Sequence, residues 1–201
     1  MEARRRYDSP LRRQRAAETR DRILAAGSEV LHGYPIWNWG ALTVRAVATQ
    51  AGVNERTVYR YFANERELRD AVMDRMSEEA GVDIEGLSLD AIPDLAVRIL
   101  EYASSFPVAP RTQRDGAVAA ANARQRAALV AALGPWTEDW SEVDRGTAAA
   151  ALDVLLAPVS YERLVTDWEL DPKEAIRGIT WVVDLIAAAV REGRTPGGTP
   201  R

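Results

Sequence analysis

The chain lacks cysteine altogether and has a single histidine, His32, among its 201 residues. Without cysteine it can form neither a disulfide framework nor a thiolate metal site, and this composition favours a cytoplasmic location. One histidine leaves little scope for histidine-based acid–base or metal chemistry. The sequence also has no Glu-x-x-His pair and no glycine-rich phosphate loop. We therefore expect a protein that is not an enzyme and that needs neither a cofactor nor a metal.

Long apolar runs are missing as well. The longest, ITWVVDLIAAAV, is too short to span a bilayer and contains Asp184. The basic N-terminus, MEARRRYDSPLRRQR, is not followed by an apolar segment, so it does not have the pattern of a signal peptide. We expect no association with membranes.

The two parts of the chain carry opposite net charge. Residues 1–61 contain 11 arginines and 6 acidic residues, a net charge of +5, so with a chain total of −4 the remaining 140 residues carry −9. A basic N-terminal segment, residues 1–61 (the basic head), on an otherwise acidic chain indicates that this segment binds a polyanion. The arginine-rich start has two open interpretations: an arm that contacts a DNA minor groove or phosphates, or a disordered solubilising tail.

Ala, Leu, Arg and Glu dominate the sequence, and no stretch alternates apolar and polar residues for long, which predicts an all-α fold. Thr43 is a predicted N-cap for the helix VRAVATQA, and Gly52 ends that helix. Asn54 caps the next helix only three residues later. Asp171, followed by a proline at the first helical position, begins the last helix, which runs to about Arg191.

The helix that starts after Asn54, ERTVYRYF, has one apolar and one polar face. On a helical wheel Val58 and Phe62 fall together, which predicts that they face the core, while arginines, a threonine and a tyrosine fan across the opposite side. Two short helices joined by AGVN predict a helix-turn-helix, whose second helix enters the DNA major groove. The predicted DNA-binding residues are Thr43, Arg45, Asn54, Arg56, Thr57, Tyr59, Arg60 and Tyr61.

These residues carry a resemblance to a known family. The segment LTVRAVATQAGVNERTVYRYFANERELRDAVM resembles the DNA-binding segment of the TetR family of transcriptional regulators, and LLAPVSYERLVTDWELDPKEAIRGITWVVDLI is similar to the dimerising helices of one branch of it. The resemblance implies an N-terminal three-helix helix-turn-helix domain followed by a C-terminal helical domain for ligand binding and dimerisation. One departure is Glu65, which stands where the family often has a lysine that contacts phosphate.

We therefore expect residues 1–63 to form an N-terminal arm and the helix-turn-helix domain, residues 64–192 the effector-binding and dimerisation domain, and residues 193–201 a disordered tail. The resemblance implies a sequence-specific repressor that binds a pseudo-palindromic operator in double-stranded DNA as a homodimer. A small apolar or aromatic effector would release it. A DNA-binding regulator without an effector, controlled by a partner protein or by its own abundance, remains the alternative.

Two further groups of residues are predicted. Aromatic side chains in the middle of the chain are candidates to line a ligand pocket, although for any single one a place in the core is the simpler interpretation: Tyr102, Phe106, Trp136, Trp140 and Tyr161. The last helix is apolar on two sides, so one side can pack on its own domain and the other on a second subunit. The predicted dimer face is Ile176, Ile179, Val183, Ile186 and Val190, although which of the two faces meets the partner stays open.

Overall fold

A computed structural model of the chain describes residues 10–35, 38–108 and 116–198. Within these residues it contains nine α-helices and three short 3-10 helices and no strand, which confirms the predicted all-α fold. The chain divides into two compact units, Met1–Pro110 and Arg111–Arg201. The α-helices are α1 (Pro10–His32), α2 (Val44–Ala51), α3 (Glu55–Tyr61), α4 (Glu65–Glu79), α5 (Ile92–Ser104), α6 (Gly116–Leu133), α7 (Glu142–Leu155), α8 (Pro158–Thr166) and α9 (Pro172–Arg191).

The first unit is built around the C-terminal half of α1, which packs against α2 and α4. Residues before Ile23 are mostly exposed, whereas Ile23 and Leu31 are buried together with Val47 of α2, Val58 of α3 and Leu68 of α4. Each of these helices therefore contributes apolar residues at helical spacing to one core. This core fixes α2 and α3, the two helices of the predicted helix-turn-helix.

The predicted caps are present. The hydroxyl of Thr43 accepts a hydrogen bond from the backbone N–H of Ala46 at 3.1 Å, and the side chain of Asn54 accepts one from the N–H of Arg56 at 2.9 Å. Gly52 lies in the left-handed region with φ of 63°, a conformation that favours glycine, and ends α2. The turn between α2 and α3 is therefore specified locally, by the backbone conformation of Gly52 and the side-chain cap of Asn54.

Glu79, at the end of α4, accepts hydrogen bonds from several parts of the first unit. Its donors are the hydroxyl of Ser28 at 2.6 Å, the hydroxyl of Tyr102 at 3.0 Å and Nε of Arg75 at 2.8 Å. Burial acts to raise the pKa of Glu79, but the three hydrogen bonds outweigh it and lower that pKa below its usual value. Burial, together with the nearby carboxylate, raises the pKa of Tyr102 to about 12, so this hydroxyl keeps its proton. The cluster ties the ends of α1 and α4 to α5.

The second unit has its own core, to which α6, α7 and α9 contribute. Leu133, Ala148, Leu152 and Val190 are buried there, among other residues. The buried side chain of Thr137 donates to the Leu133 carbonyl oxygen at 2.9 Å and anchors the link between α6 and α7. The helix α8 packs on α9.

The two predicted domain boundaries separate parts of the chain by function, and they stay predictions. By packing, α4 and α5 belong to the same unit as the helix-turn-helix, because the division falls at residue 110. Residues 193–198, which belong to the predicted tail, follow α9 as turns, and the predicted arm falls partly on residues 1–9, outside the described residues. Among the residues that the structure describes, no helix is long and apolar enough to cross a membrane.

Candidate nucleic-acid interface

The helix α3 is held by its apolar face. Val58 and Phe62 are buried in the core of the first unit, as the helical wheel predicts. Arg56, Tyr59 and Arg60 are exposed on the other side. The helix α3 has only seven residues. Burial of Val58 and the N-cap at Asn54 therefore fix the direction in which its whole polar face points.

Five of the eight predicted DNA-binding residues line one depression on this surface. It has a volume of about 570 Å³ and is formed by Asn54, Arg56, Thr57, Tyr59 and Arg60. Two guanidinium groups, two hydroxyls and an amide are thus presented side by side. Groups of these types can donate hydrogen bonds to the acceptors that guanine bases and phosphates expose in and beside the major groove.

The other three predicted residues take different positions. Thr43 is half-buried at the N-terminus of α2, and Arg45 is exposed in the first turn of that helix. Tyr61 is half-buried and packs against the core, with the guanidinium carbon of Arg60 5.1 Å from its ring centroid. Nη2 of Arg60 also lies 3.4 Å from the Tyr61 hydroxyl. These contacts make Tyr61 a support for Arg60 in the structure.

Two arginines that the sequence did not single out contact residues at the ends of the helix-turn-helix. The guanidinium carbon of Arg20, on α1, lies 5.4 Å from the ring centroid of Phe62. On α4, Nε of Arg69 donates to the carbonyl oxygen of Leu42 at 3.5 Å, and its Nη2 lies 3.8 Å from the Glu65 carboxylate. This pairing partly compensates the negative charge that Glu65 introduces at the start of α4. Arg20 belongs to the arginine surplus of residues 1–61, which is the sequence signal that could have identified it, and Arg69 lies outside that stretch.

A comparison with family models places the helix-turn-helix in a known family. Residues 23–72 match the model described as bacterial regulatory proteins, tetR family. The matched stretch begins at the buried part of α1, contains the whole of α2 and α3, and ends within α4. The DNA-binding segment of the chain, residues 23–72, belongs to the TetR family.

It is therefore a DNA-binding transcriptional regulator, and the surface of α3 is its candidate DNA-reading surface. Searches of curated proteins and of solved structures gave no match. The TetR-family match ends at Val72, so it does not include α5 to α9.

The five aromatic residues predicted to line a ligand pocket lie in both units. Phe106 is buried in the core of the first unit, where its ring stacks on His32 with centroids 4.2 Å apart, and Tyr102 packs beside it. Trp136, Trp140 and Tyr161 belong to the second unit. Of the five, Trp140 lines a cavity of about 900 Å³ between α7 and α9.

The two apolar sides of α9 have different surroundings. Val183, Ile186 and Val190, three of the five residues predicted to meet a partner, pack in the subunit's own core. Trp181 and Leu185, on the other side, are 63% and 50% exposed. Of the remaining predicted residues, Ile176 is exposed and Ile179 is half-buried. The subunit thus uses for itself most of the face that we predicted for the partner.

Proposed function

We propose that this TetR-family regulator is a sequence-specific repressor that binds its operator as a homodimer and is released by a small molecule. The observation that carries DNA reading is the outward face of α3, where Arg56, Tyr59 and Arg60 are exposed while Val58 anchors the helix. Such a regulator acts on chromosomal DNA, so the proposal includes a cytoplasmic location.

The residues on α3 take distinct roles in this proposal. Arg56 and Arg60 present planar guanidinium groups that can bond the O6 and N7 acceptors of guanine or a phosphate. Tyr59 offers a hydroxyl to phosphate and a ring face to a thymine methyl. Arg45 and the N-terminus of α2, which Thr43 caps, contact phosphates of the flanking DNA backbone.

Homodimerisation is supported by the exposed side of α9. Exposed tryptophan and leucine side chains on one helix face are costly in water and mark an interaction surface. We place the partner on the side of Trp181 and Leu185, because the opposite side is occupied by the subunit's own core. A twofold dimer would read a pseudo-palindrome whose half-sites lie about 34–36 Å, or a multiple of that, apart.

Release by an effector would follow from differential binding. Suppose that a molecule binds the C-terminal part more tightly in a state whose recognition helices no longer match the half-site spacing. It then lowers the affinity for DNA by up to the ratio of its own affinities for the two states. In this proposal the repressor blocks transcription until the effector accumulates.

Alanine substitutions on α3 test the DNA-reading surface. Arg56→Ala, Tyr59→Ala and Arg60→Ala should each weaken operator binding by about 1–3 kcal/mol, measured by fluorescence anisotropy with labelled DNA. The matched control is Arg126→Ala, which removes an exposed arginine from α6 in the second unit and should leave the affinity unchanged. Unchanged affinity in all three α3 variants would show that this face does not read DNA.

A further inference from the structure

The second unit contains a cavity whose size suits a small molecule. Its volume is about 900 Å³, and it lies between α7 and α9. Small-molecule pockets typically have volumes of about 300–1,000 Å³. The cavity lies outside the stretch that matches the family model, which ends at Val72.

The helical walls of the cavity are mostly apolar. Ala148 and Ala151 of α7 face Ile186 and Val190 of α9, and the half-buried ring of Trp140 completes this surface. Small alanine side chains leave the space open, while isoleucine, valine and tryptophan supply the apolar contact area. Binding of an apolar molecule against these side chains is favourable because it removes apolar surface from water.

The charged groups of the lining compensate each other. Glu192 and Arg194 are its two charged residues, and Nη2 of Arg194 lies 2.8 Å from the Glu192 carboxylate. A ligand that carried a net charge would have to compete with this pair for its partner. The lining therefore matches a molecule without net charge.

The chain after α9 forms a third wall. Gly193 has φ of 71°, a left-handed conformation that turns the chain away from the helix axis, and the N–H of Arg194 bonds to the Ala189 carbonyl oxygen at 2.9 Å. Further on, a Cβ placed on Gly197 would lie 3.1 Å from a carboxylate oxygen of Asp144, so the segment passes close to the first turn of α7. Residues 193–198 thus run from the end of α9 to α7 alongside the cavity.

We propose that this cavity binds a neutral, largely apolar small molecule with an aromatic part against Trp140, and that residues 193–198 form the outer wall of the site. The inference rests on the proposed function in one respect, which is that the bound molecule is the effector. It differs from the sequence-based prediction of the pocket, because Tyr102 and Phe106 have no part in it.

The test uses the neutral aromatic dye 1-N-phenylnaphthylamine and the full chain. Its fluorescence should rise on binding and saturate at one dye per subunit. Ala151→Phe and Thr147→Phe each place a ring in the cavity from an exposed position on α7, and each should weaken dye binding by about tenfold or more because the ring occupies the space that the dye needs. Ala150→Phe is the matched control, since Ala150 is exposed on the same helix and does not line the cavity.

Circular dichroism establishes that the variants fold, and operator binding is measured on the same samples. Dye binding that is lost in the Ala151 and Thr147 variants and retained in the Ala150 variant supports the site. Dye binding that is absent, does not saturate, or is equal in all three variants overturns it. Wild-type protein that binds its operator yet fails the dye test refutes the site and leaves the proposed DNA-binding function standing. Wild-type protein that does not bind its operator would refute that function, whether or not the dye binds.

Discussion

The sharpest prediction concerns the contact between α1 and α4. At Gly27 the two helices are so close that an added Cβ would lie 2.5 Å from Cγ2 of Val72. Real Cβ atoms do not approach other atoms this closely, so one of the two helices or the valine would have to move. Val72 cannot swing aside easily, because it is 0% exposed and a β-branched side chain in a helix has one strongly preferred rotamer.

The expected sign follows from two opposing effects. Alanine in place of glycine inside a helix stabilises by about 0.8–1 kcal/mol. Overpacking a filled core costs about 1–3 kcal/mol. Gly27→Ala should therefore lower the free energy of unfolding by about 1 kcal/mol on balance. Gly146→Ala, within α7, has nothing within 4 Å of the added Cβ and should instead raise it by about 0.5–1 kcal/mol.

Urea unfolding followed by circular dichroism measures both variants. A double variant, Gly27→Ala with Val72→Ala, provides the decisive control, because removing the valine methyl groups frees the space that the new Cβ takes. The two substitutions should show a coupling energy of about 1 kcal/mol in the favourable direction. If Gly27→Ala stabilises the protein as much as Gly146→Ala does, the close approach of α1 and α4 is refuted.

Three other changes have defined outcomes. Glu79→Gln should destabilise the first unit at pH 7, and this destabilisation should shrink as the pH falls below 4.5. The folded-state pKa of Glu79 is lowered below 4.5, so its carboxylate stabilises the fold above that pH and loses this contribution as the pH falls through the lowered pKa. A destabilisation that does not change with pH in urea unfolding would contradict this. Asn54→Ala should cost about 1 kcal/mol in thermal unfolding through loss of the α3 cap, while Asn54→Asp should cost little. Trp181→Glu should convert dimer to monomer in sedimentation, whereas Val143→Glu, at an exposed site on α7, should not.

Local chemistry made the helix-turn-helix predictable from sequence. Each cap residue (Thr43, Gly52 and Asn54) acts on backbone groups within four residues of itself, so its role is predictable from the sequence. The inward position of Val58 and Phe62 follows from helical periodicity, which is equally local. The family resemblance rests on this same stretch, and the family-model match covers it.

Features that depend on packing between helices were beyond the sequence. An aromatic residue gives the same sequence pattern whether it lies in a core or lines a pocket. The sequence therefore predicted neither the stacking of Phe106 on His32 nor the position of Trp140 beside a cavity. Two apolar sides on one helix do not reveal which side the subunit's own core uses. The structure assigns Val183 to that core and leaves Trp181 exposed. The hydrogen bonds to Glu79 join residues up to 51 positions apart, a separation that no periodic pattern reveals.

The most direct measurement is a gel-shift titration of the wild-type protein against the DNA upstream of its own gene, at two salt concentrations and with competitor DNA. We expect a tight complex that survives the competitor, since the proposed base contacts from Arg56 and Arg60 would add specificity to phosphate binding. Binding that is weak, indifferent to sequence and abolished by salt would contradict operator recognition at this DNA and would leave only phosphate attraction by the basic head.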